Sequence, residues 1–165
     1  MKRRLYLTIV FLILELGAPA QPIPRTLWGK WIVRHQLPTK TISCWGGKEA
    51  EMLIGTQLEY SSDVFRWHKT VTKNPATETI TLTAKQFHDE NSGGGTNSSQ
   101  VTLQQLGIKG ESVVQIVIRH PAASITGATV EIPGDSVLLK SQDTIVFSVC
   151  NVYFEATRSS PPSKN

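Results

Sequence analysis

The sequence is poor in charged residues and in long apolar runs, and each shortage excludes a class of protein. Charged residues are 18% of the 165 positions, below the ~25% typical of soluble domains, while hydrophobic residues reach 39%. This balance excludes a disordered chain and a coiled coil. The longest apolar run, Leu5 to Leu16, is too short for a transmembrane helix, which needs ~20 residues. The length favours one domain.

The N-terminal apolar run has the flanks of a secretory signal peptide. Three cations, Lys2 to Arg4, precede it, and Ala18 to Ala20 supplies small residues for a cleavage site. We therefore expect a signal peptide over residues 1–20, a secreted or periplasmic protein, and no membrane span after processing. Removal of this segment leaves 14 Lys and Arg against 12 Asp and Glu, a net charge of +2 instead of +4. The remaining cations are scattered, which argues against nucleic-acid binding.

Only two cysteines are present, Cys44 and Cys150, and an even number in an exported chain predicts a disulfide. Closing a loop of ~100 residues stabilises a fold by ~4 to 5 kcal/mol in the loop-entropy model. No CxxC occurs and no histidine lies within four residues of either cysteine. The histidines share no metal-binding spacing, so we predict no metal site and no cofactor.

The composition favours β-structure, because 43 residues are Val, Ile or Thr and 32 are Ala, Leu or Glu. Alternating apolar residues between turn signals predict eight strands. Thr83 is expected to cap a short helix through Phe87 and Glu90, and Val101–Ile108 is ambiguous. The predicted strands are Gly29–Leu37, Ile54–Tyr60, Val64–Lys69, Thr77–Leu82, Val113–Ile118, Ala128–Ile132, Ser136–Lys140 and Thr144–Thr157.

No predicted strand is followed by a convincing crossover helix, which favours antiparallel meander connections. We therefore predict an all-β fold, an up-and-down barrel of about eight antiparallel strands with at most one or two short helices. Residues 21–27 are expected to form an extended lead-in, residues 28–158 a single barrel domain, and residues 159–165 a flexible tail. Residues 88–100 are polar and glycine-rich and are expected to form a loop.

A short motif and the strand count together resemble the lipocalins and the wider calycin group. The motif is Gly29-Lys30-Trp31 at the start of the first strand, and Arg158 ends the last strand. The resemblance implies that Trp31 closes one end of the barrel and that Arg158 lies across its ring. It also implies that the first and last strands pair, which brings Cys150 within a few residues of Cys44. The T-D-Y motif and the C-terminal helix of the family are missing.

Aromatic residues and histidines cluster on the first three predicted strands and the loop between the first two. The functional interpretation is an aromatic cavity for an apolar or planar molecule. Packing in the barrel wall is the alternative, chiefly for Phe65 and Trp67, whereas Trp45 lies in a loop where a large aromatic lacks a packing reason. His35 shares the Trp31 face of its strand. The candidate ligand-binding residues are His35, Trp45, Tyr60, Phe65, Trp67 and His68.

The leading hypothesis is an exported lipocalin-like protein that holds a small hydrophobic or amphipathic molecule. The alternative is a protein-interaction module, a hydrolase inhibitor or adhesin, that binds a protein partner through loops such as Ser43–Gly47 and Asn91–Gln100. An enzyme on the same barrel is a third hypothesis. No G-x-S-x-G, phosphate-binding loop or carboxylate pair is present, so no catalytic residue is predicted.

Overall fold

A computed structural model describes residues 21–41, 43–91, 101–120 and 131–159. The predicted signal peptide, most of the predicted strand Ala128–Ile132 and most of the predicted tail lie outside the described residues. The elements in chain order are a 3-10 helix at Arg25–Leu27, β1 Gly29–Gln36, α1 Gly47–Glu51, β2 Gln57–Tyr60, β3 Val64–Trp67, β4 Thr70–Lys73, β5 Ala76–Thr83, α2 Ala84–Asn91, β6 Ser112–Arg119, β7 Ser136–Ser141, β8 Thr144–Val149 and β9 Val152–Arg158.

The nine strands form one antiparallel sheet with the order β4-β3-β2-β1-β9-β8-β7-β6-β5. The sheet is strongly curled into a half-barrel. Its two ends, β4 and β5, do not pair with each other in the described residues. The predicted all-β antiparallel fold is confirmed at this level, but the described residues form nine strands and no ladder among them closes an eight-stranded barrel.

The structure has two strands that the sequence did not predict. They arise because two tight turns, at positions where the sequence has no turn signal, each reverse the chain. The predicted strand Thr144–Thr157 is a hairpin, because Cys150 and Asn151 have φ values of 51° and 63° and reverse the chain between β8 and β9. Positive φ at both turn residues is typical of the mirror-image turns that suit hairpins. A second reversal at His68, with a φ of 50°, separates β3 from β4. Neither turn contains a glycine, which is the usual sequence signal.

The predicted short helix is confirmed as α2. The Gln86 N–H donates to Thr83 Oγ1 at 3.2 Å, and the Thr83 N–H donates to Gln86 Oε1 at 2.9 Å, a reciprocal cap. The ambiguous segment Val101–Ile108 forms turns and no strand. Its apolar side chains join Phe87 of α2 in covering the convex face of the sheet.

The sheet therefore buries apolar side chains on both faces. The concave side of the curl holds the larger cluster, in which Trp31, Tyr60, Phe65, Phe147 and Phe154 are the largest fully buried residues. The convex side holds a second cluster beneath α2 and residues 101–108. Sheets with helices or loops over one face normally carry such a second core, since the apolar stripe of the covering segment must be buried.

One end of the curl is closed by Trp31 and Arg158, which are register partners on β1 and β9. The Trp31 Nε1–H donates to the Leu27 carbonyl at 2.8 Å. The Arg158 guanidinium lies 4.1 Å from the centre of the Trp31 ring, and its side chain is only 4% exposed. It donates to the carbonyls of Thr26, Trp28 and Gln142 and pairs with Asp143 at 3.2 Å.

The predicted disulfide between Cys44 and Cys150 is confirmed. The two Cα atoms are 5.2 Å apart and the bond closes a loop with a sequence separation of 106 residues. It ties the loop after β1 to the turn between β8 and β9. The unfolded chain loses the most entropy when such a long loop is closed.

We expect Arg158→Lys to lower the free energy of unfolding by about 3 kcal/mol. The planar guanidinium of Arg158 donates to several carbonyls at once, and the ammonium group of a lysine cannot reproduce that geometry. The free energy of unfolding is measured by urea denaturation. The matched control is Arg66→Lys on β3, where the guanidinium is 51% exposed and pairs with Glu59 at 3.6 Å. A change below ~0.5 kcal/mol is expected there. Equal effects of the two substitutions would contradict the role given to Arg158.

Candidate functional site

Two of the six candidate ligand-binding residues belong to the core. Tyr60 and Phe65 are register partners on β2 and β3, and their rings stack with centroids 5.0 Å apart. Both are fully buried. The Tyr60 hydroxyl donates to the Gly134 carbonyl at 2.8 Å, on the opposite side of the curl. In this conformation they fill space and leave no ring face for a ligand.

Trp67, His68 and Trp45 lie at the margin of the core. Trp67 is half-buried on the concave face of β3, where it packs against the core. The ring of His68 meets it edge-on, with centroids 4.6 Å apart. Trp45 follows Cys44 in the disulfide loop, and its half-buried side chain packs against the same cluster. The aromatic cluster predicted from the sequence is thus partly assembled, around Trp67.

His35 lies away from the other five. The register between β1 and β9 shifts between Val33 and His35, and this bulge turns His35 away from the face that Trp31 and Val33 share. Its side chain is 53% exposed and its Nε2 lies 3.9 Å from Glu155 Oε1. Glu155 also accepts a hydrogen bond from Lys140 at 2.5 Å. A strict alternation of inward and outward side chains along β1 would place His35 on the Trp31 face. The prediction was wrong because no sequence signal marks the bulge.

The side chains on the concave face are buried on most strands, but two of them are exposed on β5. On β5, Thr79 and Thr81 are exposed, although their register partners Ile116 and Val114 on β6 contribute to the core. Val114 is only half-buried. We call Trp67, Thr79, Thr81 and Val114 the open side of the half-barrel. Trp67 lies on β3, next to β4 at one end of the sheet, and the two threonines lie on β5 at the other end.

A group of buried and half-buried side chains, the seam, links β4 to the residue that follows β6 and to the turn before β7. Thr72 on β4 hydrogen-bonds with His120, which follows β6, with 2.9 Å between Oγ1 and Nδ1. His120 Nε2 lies 3.6 Å from Asp135 Oδ2, in the turn before β7. Phe65 completes the seam, with its ring centroid 6.2 Å from that of His120. These residues share no motif, so sequence spacing could not bring them together.

The seam contains a hydroxyl, an imidazole and a carboxylate in contact, the groups that nucleophilic catalysis uses. Thr72 is only 6% exposed, however, and it lies in the core of the curl. A nucleophile must reach a substrate atom, and the described residues bury almost all of the Thr72 side chain. The seam is therefore best described as a hydrogen-bonded closure of the sheet.

Burial is the largest cause of the pKa shifts of Asp135 in the seam and of the neighbouring Tyr60. Burial raises the pKa of Asp135, and the backbone N–H of Ile132 and the charge of His120 oppose that rise. The N–H of Ile132 donates to Asp135 Oδ2 at 3.2 Å. Burial, followed by the charge of Asp135, raises the pKa of Tyr60 well above its usual value. The folded protein therefore holds the Asp135 proton more tightly than the unfolded chain does.

Other features of the described residues bear on function. A cavity of about 600 Å³ lies on the convex side, between the start of α2 and residues 102–110, with Leu103 and Ile108 in its wall. Within the described ranges, no three His, Cys, Asp or Glu side chains group as metal ligands, and no helix is long and apolar enough to cross a membrane.

Comparison of the chain with protein-family models, with curated proteins and with solved structures finds no match. The architecture, a curled antiparallel half-barrel, is compatible with a barrel fold.

The buried carboxyl of Asp135 predicts a pH dependence of stability. Its pKa is raised in the fold, so its contribution to stability is greatest below the unfolded pKa and is lost as pH rises through the folded value. We expect the stability of wild type relative to Asp135→Asn to fall with rising pH across that window. Urea unfolding of both proteins in a pH series measures this difference. A difference that is constant, or that grows with pH, would contradict the burial argument.

Proposed function

We propose that this chain is an exported, lipocalin-like binding protein that holds a small hydrophobic or amphipathic molecule at its open side. The observation that carries the proposal is the gap between β4 and β5, next to a concave face that is only partly filled. Ligand sites are concave, mainly apolar and carry few polar groups. The indole of Trp67 and the side chain of Val114 supply the apolar part, and the hydroxyls of Thr79 and Thr81 supply the polar part.

The packing of the curl limits what such a ligand can be. Trp31, Phe147 and Phe154 fill the space beneath β1, β8 and β9. A ligand is therefore confined to the side next to β5 and must be small. None of the four open-side residues carries a charge, so a neutral body is favoured over an ion. A long fatty acid would need the core to rearrange.

Two further observations support export and the lipocalin-like class. A disulfide is typical of proteins that fold outside the cytosol, and the predicted signal peptide gives the route. The Gly29-Lys30-Trp31 motif and the Arg158 guanidinium over Trp31 agree with the arrangement that the resemblance implies. These features make the lipocalin-like class the best-supported proposal for a half-barrel of this topology.

A protein-interaction role is the second candidate. In the turn after α1, Met52 is 70% exposed and Ile54 is 44% exposed. This turn follows the disulfide loop that contains Trp45. Exposed apolar side chains near one loop favour contact with a protein partner. The third hypothesis, an enzyme on the same barrel, remains a prediction from the sequence.

We expect N-phenyl-1-naphthylamine, a small neutral fluorescent probe, to bind wild type and to accept excitation energy from tryptophan. Thr79→Trp should weaken its binding by roughly tenfold or more, equivalent to about 1.4 kcal/mol, because an indole would occupy the open side. Fluorescence titration measures the affinity.

The matched control for this titration is Glu78→Trp, one residue away on the opposite face of β5. It disrupts only the exposed ion pair with Arg119 and should leave probe affinity unchanged. Equal weakening by both substitutions would place the probe elsewhere. Absence of probe binding to wild type would contradict the ligand proposal and favour the protein-interaction role. The substitution Met52→Lys, at the exposed apolar side chain, would then test that role.

A further inference from the structure

The cavity on the convex side of the sheet is separate from the open side. It has a volume of about 600 Å³, and none of the described residues in its wall belongs to the open side. Volumes of about 300 to 1,000 Å³ are typical of sites for small molecules. Ala84, the first residue of α2, lies in one wall, and residues 102–110 supply the other.

Backbone hydrogen bonds fix the two walls of this cavity. The Ala84 N–H donates to the Glu111 carbonyl at 2.7 Å, which ties the start of α2 to the end of the opposite wall. Within that wall, the Ile108 N–H donates to the Leu103 carbonyl at 2.9 Å. Gly107 has a φ of 70°, a backbone conformation that favours glycine. The shape of the cavity is therefore set by the fold.

The apolar part of the wall belongs to the convex core. Leu103 and Ile108 are 2% and 6% exposed, and both pack in the cluster beneath α2. Ala84 adds a methyl group from the helix. Because close packing holds the two larger side chains in place, they offer a fixed apolar surface.

Lys109 is the one charged residue among the described residues of this wall. It is exposed, and neither Lys109 nor Gly110 makes an ion pair or a hydrogen bond within the described part of the chain. Lys140, whose ammonium lies beside Gly107, is already paired with Glu155 at 2.5 Å. The wall thus combines an apolar surface with one ammonium group that has no counter-ion among the described residues.

We propose that the convex cavity is a second binding site, which takes a free small amphipathic anion with an apolar body and one carboxylate or sulfonate group. Leu103 and Ile108 contact the apolar body, and the ammonium of Lys109 pairs with the anionic group. This ligand class differs from the neutral molecule proposed for the open side. The second site is independent of that proposal.

The test compares two fluorescent probes of similar shape and different charge. N-phenyl-1-naphthylamine is neutral, and 8-anilino-1-naphthalenesulfonate carries a sulfonate on the same ring system. We expect the anionic probe to bind folded, oxidised wild type, and Lys109→Gln to weaken its binding by about fivefold, as the loss of one exposed ion pair would do. Higher salt should also weaken it. Fluorescence titration measures both affinities.

The matched control is Lys30→Gln, which removes one positive charge from β1. Lys30 is exposed, and its side chain makes no ion pair or hydrogen bond with the described residues. The affinity for the anionic probe should not change in this variant. The affinity for the neutral probe should not change in either lysine variant.

A second pair of variants tests the position of the site from the helix side. Ala84→Glu places a carboxylate in the wall opposite Lys109, at the first residue of α2, where a negative charge suits the helix. It should weaken binding of the anionic probe by about fivefold more than Ala84→Gln, which has the same shape and no charge. Unchanged urea midpoints in all four variants would show that the fold is retained.

Three results would overturn the proposal. The first is no binding of the anionic probe to folded wild type. The second is an equal effect of Lys109→Gln and Lys30→Gln, which would reflect net charge and no specific site. The third is loss of the anionic probe in Thr79→Trp, which would place it at the open side. Failure of the neutral probe alone would contradict only the open-side proposal.

Discussion

The contact between Arg158 and Trp31 unites separate parts of the chain at the closed end of the curl. The guanidinium is almost fully buried, and a buried charge is tolerable only when its donors are satisfied. The carbonyls of Thr26, Trp28 and Gln142 accept from its two terminal nitrogens. Its Nε makes no hydrogen bond but lies 3.2 Å from Asp143, which balances the charge. The 3-10 helix, the turn between β7 and β8, and the ends of β1 and β9 are therefore held by one side chain.

Curling the sheet creates a second constraint, because its two edge strands approach without pairing. Unpaired edges expose backbone donors and acceptors, which natural sheets usually cover. Here the seam joins Thr72 to His120, and the segment Gln21–Ile23 bonds to Thr77 on β5. Both links lie near the Asn74-Pro75 connection. Among the described residues, the rest of β4 and β5 has no such link, and Thr79 and Thr81 on β5 are exposed.

The features that depend on composition and on strong local signals could be predicted from the sequence. The all-β antiparallel class, the cap at Thr83 and the disulfide between Cys44 and Cys150 follow from such signals. The missed features arise where tertiary packing selects an uncommon backbone. Cys150 and Asn151 form a hairpin turn without glycine, and the bulge in β1 redirects His35. The seam joins residues far apart in sequence, so local patterns could not reveal it.

The two closures explain why the proposed ligand could lie only on one side of this half-barrel. Five large side chains are fully buried in the curl, so little space remains there for a ligand. Thr79 and Thr81 of β5 are exposed, and within the described residues β5 is the last strand at its end of the sheet. The concave surface therefore combines a buried aromatic core with exposed hydroxyl groups on β5, and the proposed ligand would have to contact both.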